Sequence, residues 1–106
     1  MSSNKNLTPR NEKKQQHGYV EYYWTNGNLE SKGDYANGEK HGYWERYFSN
    51  GKLWIKGNFV NDKQHGYWES YFSNCILFLK CNYNNGKLHG YWEMYRGDRV
   101  IKRFYL

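Results

Sequence analysis

The residues able to do chemistry recur at one interval. His17, His41, His65 and His89 stand 24 residues apart, each opening a His-Gly-Tyr triplet. Glu21, Glu45, Glu69 and Glu93 follow at the same interval, and the 2 cysteines, Cys75 and Cys81, both fall in the third unit. A column of imidazoles suggests a metal and a column of carboxylates suggests acid–base work. Geometry argues against both. If each interval is a pair of strands, successive imidazoles lie roughly 9–10 Å apart at 4.7–4.9 Å per strand. A metal that binds nitrogen at about 2.0 Å cannot bridge them. Catalysis needs side chains converging in a concave pocket, whereas a strict repeat spreads them evenly. No serine or cysteine stands in a triad-like setting and no glycine-rich phosphate loop is present. The sequence therefore reads as non-catalytic, with no metal and no cofactor.

The elements that would carry these columns follow from the same period. Val20, Trp44, Trp68 and Trp92 form one further column and Tyr23, Tyr47, Tyr71 and Tyr95 another. Leu29, Leu53 and Leu77 form a third, continued by Ile101. Runs such as Tyr19-Val20-Glu21-Tyr22-Tyr23-Trp24 are rich in strand formers. Asn26-Gly27 and Asn50-Gly51 follow such runs, and Asn-Gly predicts a type I′ hairpin turn with positive φ at both residues. Second turns fall at Asn37-Gly38, Asn61-Asp62 and Asn85-Gly86. Each unit is then two strands, and about seven or eight short strands follow one another. Units begin at residues 17, 41, 65 and 89, the last incomplete, giving a repeat domain over 17–106. Residues 1–16 lie outside the pattern as a flexible leader or N-terminal cap.

A turn at Asn26-Gly27 sets a register in which Trp24 faces Leu29, Tyr22 faces Ser31, Glu21 faces Lys32 and Val20 faces Gly33. The next units repeat it: Glu45 faces Lys56, Glu69 faces Lys80, and Trp44 faces Gly57, where the ring can cover a residue with no side chain. One face then carries Val20, Trp24, Leu29, Trp44, Phe48, Leu53, Ile55, Phe59, Trp68, Phe72, Leu77, Leu79, Tyr83, Trp92, Met94 and Ile101. The other carries the Tyr23, Tyr47, Tyr71 and Tyr95 column beside the Glu–Lys pairs. The third unit departs from the rest. Cys75 replaces a turn glycine and is expected to change the turn, Cys81 replaces a strand glycine, and Ile76 and Phe78 project toward the polar face. In the fourth unit Arg96-Gly97-Asp98-Arg99 replaces the usual turn.

The motif His-Gly-Tyr-Trp-Glu-x-Tyr-x-x-Asn-Gly-x-Leu-x-x-Lys-Gly-x-Tyr/Phe resembles the MORN-type repeat, in particular its bacterial and viral variant. The likeness covers about residues 17–106. It implies an all-β fold, an elongated single-layer antiparallel meander of stacked hairpins. It also implies a module that dimerises, tethers proteins or lies near membranes.

Composition narrows the partner. The chain of 106 residues is 21% aromatic, with 12 Tyr, 5 Trp and 5 Phe, and carries a net charge of +6. Its mean hydropathy of -1.17 suits disorder, but disordered chains are poor in aromatics. No stretch approaches the roughly 20 apolar residues of a membrane helix. Tyr and Trp are enriched in interface cores, and a single-layer sheet leaves a face in need of cover. These features favour a protein partner or a second copy of the chain. An anionic membrane surface ranks behind, and nucleic acid last, since glutamates stand beside the tyrosines. The candidate binding residues are Tyr23, Tyr47, Tyr71, Tyr95, Trp54, Ile76, Phe78, Phe104 and Leu106. With no apolar run behind the first residues, the expected compartment is the cytoplasm, with attachment at a membrane surface as the alternative.

Overall fold

A computed structural model describes residues 2–3 and 10–106. Within the leader, residues 1 and 4–9 lie outside the described residues. The strands are β1 (Ser2–Ser3), β2 (Gly18–Trp24), β3 (Leu29–Ala36), β4 (Glu39–Tyr47), β5 (Leu53–Val60), β6 (Lys63–Tyr71), β7 (Leu77–Asn84), β8 (Lys87–Leu88), β9 (Gly90–Arg96) and β10 (Arg99–Tyr105). They form one open antiparallel sheet in simple meander order, with β8 and β9 both pairing β7 as one interrupted strand. The molecule measures 48 × 34 × 16 Å, a single layer. Arg10 bridges Gln16, and Asn11 Nδ2 donates to Asn37 Oδ1 at 2.9 Å, which ties this segment to the turn between β3 and β4.

Two kinds of turn alternate. At Asn37-Gly38, Asn61-Asp62 and Asn85-Gly86 both residues have positive φ, the type I′ geometry that matches strand twist. The Asn26-Gly27 turn differs from the sequence expectation. Only Gly27 is left-handed (φ 94), Gly27 N donates to Trp24 O, and Trp24 N donates to Asn28 O. This is a three-residue loop, a type I turn closed by a left-handed residue. Its asparagine serves other bonds: Asn26 Oδ1 accepts from Asn28 N and Asn26 Nδ2 donates to Ser49 O of the next loop. The third unit keeps the same loop. Cys75 adopts φ 73, its N donates to Phe72 O, and Phe72 N donates to Ile76 O. The expected change of turn type there does not occur.

The longer loop moves the register. Glu21–Lys32, Val20–Gly33 and Tyr22–Ser31 pair as expected, but Tyr23 then pairs Leu29, leaving Glu30 as a bulge. Trp54 and Phe78 are the extra residues at the matching places in the next two hairpins. Directly opposed residues share a face, so Leu29, Leu53 and Leu77 lie with Tyr23, Tyr47 and Tyr71 rather than on the tryptophan face. Trp54 stacks on Phe48 at 5.4 Å under Arg46 at 4.8 Å, and Phe78 packs on Phe72 at 4.8 Å. Phe78 thus joins the tryptophan face, not the polar one. In the fourth unit Arg96 pairs Arg99 around a two-residue Gly97-Asp98 turn. The hairpin has no bulge, and Val100, not Ile101, stands opposite Tyr95.

The core is one strip on the tryptophan face. Tyr35, Trp44, Phe59, Trp68 and Tyr83 run edge-to-face at 5.3, 6.4, 5.1 and 6.1 Å, contacts worth about 0.5–1.5 kcal/mol each beyond burial. Trp44 and Trp68 are only 3% and 4% exposed. Trp44 does pair Gly57, but its ring covers Gly33 on the preceding strand: a Cβ at Gly33 would fall 2.2 Å from the indole, and one at Gly57 would fall 2.1 Å from Trp68. The swing comes from a bulge. Between His41 and Glu45 lie Gly42, Tyr43 and Trp44, against Gly33 alone on β3. Gly42 takes φ +87 there, which explains the glycine after each histidine. Trp44 Nε1 then donates to Asp34 O at 2.9 Å, and Trp68 Nε1 to Asn58 O at 3.1 Å.

Candidate functional site

The opposite face carries the glutamates. Strand alternation puts Tyr19, Glu21 and Tyr23 on one side of β2, and both rings reach the carboxylate between them. Tyr19 donates to Glu21 Oε2 at 2.7 Å and Tyr23 to Oε1 at 2.6 Å. Tyr43 donates to Glu45 Oε2 at 2.7 Å, and Tyr47 to its other oxygen. Tyr67 and Tyr71 hold Glu69 at 2.6 and 2.5 Å. In the fourth unit only Tyr95 binds its glutamate, Glu93, at 2.6 Å, while Tyr91 turns to Phe104 at 4.8 Å.

The lysines complete a row across the sheet. Glu21 pairs Lys32, Lys32 pairs Glu45, Glu45 pairs Lys56, Lys56 pairs Glu69, Glu69 pairs Lys80, Lys80 pairs Glu93, and Glu93 pairs Lys102. The expected within-hairpin register is present, but the short contacts join successive hairpins: Lys32 Nζ–Glu45 Oε1 at 3.4 Å and Lys56 Nζ–Glu69 Oε1 at 3.3 Å. The glutamates feel this setting. Burial alone would raise Glu45 and Glu69, yet the tyrosine hydroxyls and the neighbouring lysines hold both below the ordinary carboxylate range. Hydrogen bonds from Tyr23 and Tyr19 lower Glu21 likewise. The tyrosines move the other way. Burial, then the bond to Glu21, pushes Tyr19 up to about 12. The bond to Glu69, then burial, pushes Tyr71 up to about 12. Each hydroxyl therefore stays a donor at neutral pH.

A flat face of rings with fixed hydroxyls offers a surface for binding. Glu21, Glu45, Glu69 and Glu93 each accept a hydrogen bond from at least one tyrosine. Among the described residues no group of three or more His, Cys, Asp or Glu lies close enough to hold a metal. The histidines stand beside the turns, and His17 Nδ1 accepts from Asn37 N at 3.2 Å.

The MORN repeat variant family matches residues 16–37 and 40–61. The chain is a MORN-type repeat protein. A search among curated proteins returns no match. Repeats of this family are generally non-catalytic binding modules. The two matched segments cover the first two MORN units. The third unit keeps their registers, and the fourth departs at its turn.

The candidate binding residues fall into separate places on the MORN sheet. Tyr23, Tyr47, Tyr71 and Tyr95 stand together on the glutamate face and are half-buried. Phe104 joins that face at its C-terminal end. Trp54 and Phe78 lie on the opposite face. Ile76 is exposed in a loop, and Leu106 is fully exposed at the end of the chain. A more exposed row was missed: Tyr19, Tyr43 and Tyr67, at 51%, 47% and 47%, with Tyr91 more open still. The signal was present in Tyr-x-Glu-x-Tyr, since residues two apart in a strand share a face.

Proposed function

We propose that this MORN-type chain is a non-catalytic module that holds a protein partner, or a second copy of itself, against its tyrosine–glutamate face. One observation carries the reading: Tyr19, Tyr43 and Tyr67 are about half exposed while their hydroxyls are pinned to glutamates. Pinned rings lose little conformational freedom on binding, which favours affinity, and tyrosine is a preferred residue of interface cores. The alternating Glu–Lys row keeps the face near neutral. A phosphate-rich surface, whether anionic lipid or nucleic acid, would meet a carboxylate beside each of these tyrosines, so the net charge of +6 does not favour such a partner here.

The test is the double variant Tyr43→Ser/Tyr67→Ser, compared with the unaltered chain by chemical cross-linking in cells and by light scattering of the purified protein. The expected result is loss of the cross-linked species or of the dimer, with an unchanged circular dichroism spectrum. Equal cross-linking and equal mass in both proteins would overturn the proposal.

A further inference from the structure

The Glu–Lys row ends on a lysine with one glutamate. Lys32 lies between Glu21 and Glu45, and Lys56 between Glu45 and Glu69. Their side chains are 38% and 36% exposed. Lys102 has Glu93 alone, at 3.8 Å, and is 67% exposed. It sits in β10, which among the described residues pairs β9 and no other strand. Its neighbours on the same face are Val100 and Phe104, both at least half exposed. Toward β9 these three meet Tyr95, Glu93 and Tyr91 in turn. Toward the open edge they meet nothing among the described residues.

We infer that the free edge of β10 takes up an extended acidic segment of a partner protein, added as a further antiparallel strand. Its carboxylate stands opposite Lys102, and aromatic or apolar side chains two residues to either side cover Val100 and Phe104. Backbone hydrogen bonds from an exposed edge supply affinity and alternate side chains supply specificity, as in other strand-addition complexes. The charges select the occupant. Strand β10 carries Arg99, Lys102 and Arg103 and no acidic residue, so a basic or neutral strand lacks the pairing that every lysine inside the row has. A second copy entering through its own β10, centred on Lys102, would oppose lysine to lysine, a destabilising arrangement. The edge of β2 holds a suitable Glu21, but β1 already pairs its Tyr23 and Trp24. This inference concerns the sheet edge and stands apart from the face-binding proposal above.

The probe is a pair of fluorescent synthetic peptides of the pattern Thr-Tyr-Thr-Glu-Thr-Tyr-Thr, one with glutamate and one with lysine at the centre. Anisotropy titration against the full chain is expected to give at least tenfold tighter binding for the glutamate peptide. Added salt weakens that binding, and amide exchange slows in β10 when the peptide is bound. In the variant Lys102→Glu the preference reverses toward the lysine peptide. The two peptides with the unaltered protein already decide the matter if that variant misfolds. Equal affinities, or protection that appears on the tyrosine face but not in β10, would overturn the inference. So would protection of β10 that rises with protein concentration in the absence of peptide, since a second copy would then be the occupant.

Discussion

Two indoles sit over glycines in this sheet and a third meets a cysteine. Gly33 and Gly57 receive Trp44 and Trp68, which are buried, bonded through Nε1 to the neighbouring strand, and joined edge-to-face to the rings on both sides. The equivalent of those glycines beside Trp92 is Cys81. A Cβ at either glycine would lie about 2 Å from the ring above it, so the presence of one at Cys81 denies Trp92 the same place. Cys81 is itself buried, and Trp92 is only half-buried and joins none of the ring contacts that hold the other two. The same sequence column thus has different weight along the array. The difference lies in a neighbour eleven residues upstream, not in the tryptophan.

Truncation tests this most strongly. Trp68→Ala is expected to destabilise the chain by about 3–5 kcal/mol, the range for losing a large buried aromatic. Trp92→Ala is expected to remove roughly 1–2 kcal/mol, the scale of a partly buried apolar side chain. Urea unfolding followed by circular dichroism compares them, and equal losses would show that Trp92 is seated after all. The next effect exchanges the partners beneath the rings. Gly57→Ala drives a methyl group into the Trp68 ring and should destabilise by about 1–3 kcal/mol, as overpacking does. Cys81→Gly opens the place for Trp92 but adds about 0.5–1 kcal/mol of backbone entropy. Its stability should change little, while Trp92 becomes better shielded from acrylamide in fluorescence quenching. Unchanged quenching would mean that something other than Cys81 keeps Trp92 out.

The pH response is the mildest test and contrasts the two faces. The glutamates titrate below their ordinary range in the folded chain. Their stabilising effect is present above the unfolded carboxylate pKa and lost as pH falls through the folded one. Tyr19 and Tyr71 titrate at about 12 instead of 10.0. Their effect is present below 10.0 and lost as pH rises toward about 12, because the unfolded chain gives up those protons first. The thermal midpoint should be level through neutrality, fall in acid, and fall again in alkali as tyrosinate absorbance rises. The tryptophan variants should shift the whole curve without altering its shape.

The period made the sheet legible in the sequence, because a one-layer meander has no long-range connection to guess. Pairings nearest the middle of each hairpin, such as Val20–Gly33 and Glu21–Lys32, followed directly. The Leu column was misplaced because a hairpin loop of three residues rather than two moves the pairing next to it, before the bulge at Glu30 restores the expected register. Asn-Gly supports either length, and the staple from Asn26 to Ser49 depends on a loop in another unit. Gly33 under Trp44 was hidden for a related reason. The bulge at Gly42 carries the ring to the strand before its own hairpin, and a register drawn within one hairpin cannot express that. Tyr19, Tyr43 and Tyr67 were visible as residues, but their greater exposure depends on their place along the strand.

The placement of each indole over the preceding strand has a bearing on where a repeat begins. A segment cut at the His-Gly-Tyr boundaries, such as 41–64, would hold Trp44 with no glycine beneath it and Gly57 with no ring above it. The autonomous block is therefore offset from the sequence motif by one strand. It starts at the glycine-bearing strand β3 or β5 and closes with the tryptophan of the following unit. Shortening or lengthening this array while keeping Trp44 over Gly33 and Trp68 over Gly57 means cutting in the three-residue loops, between Trp24 and Leu29 or between Phe48 and Leu53.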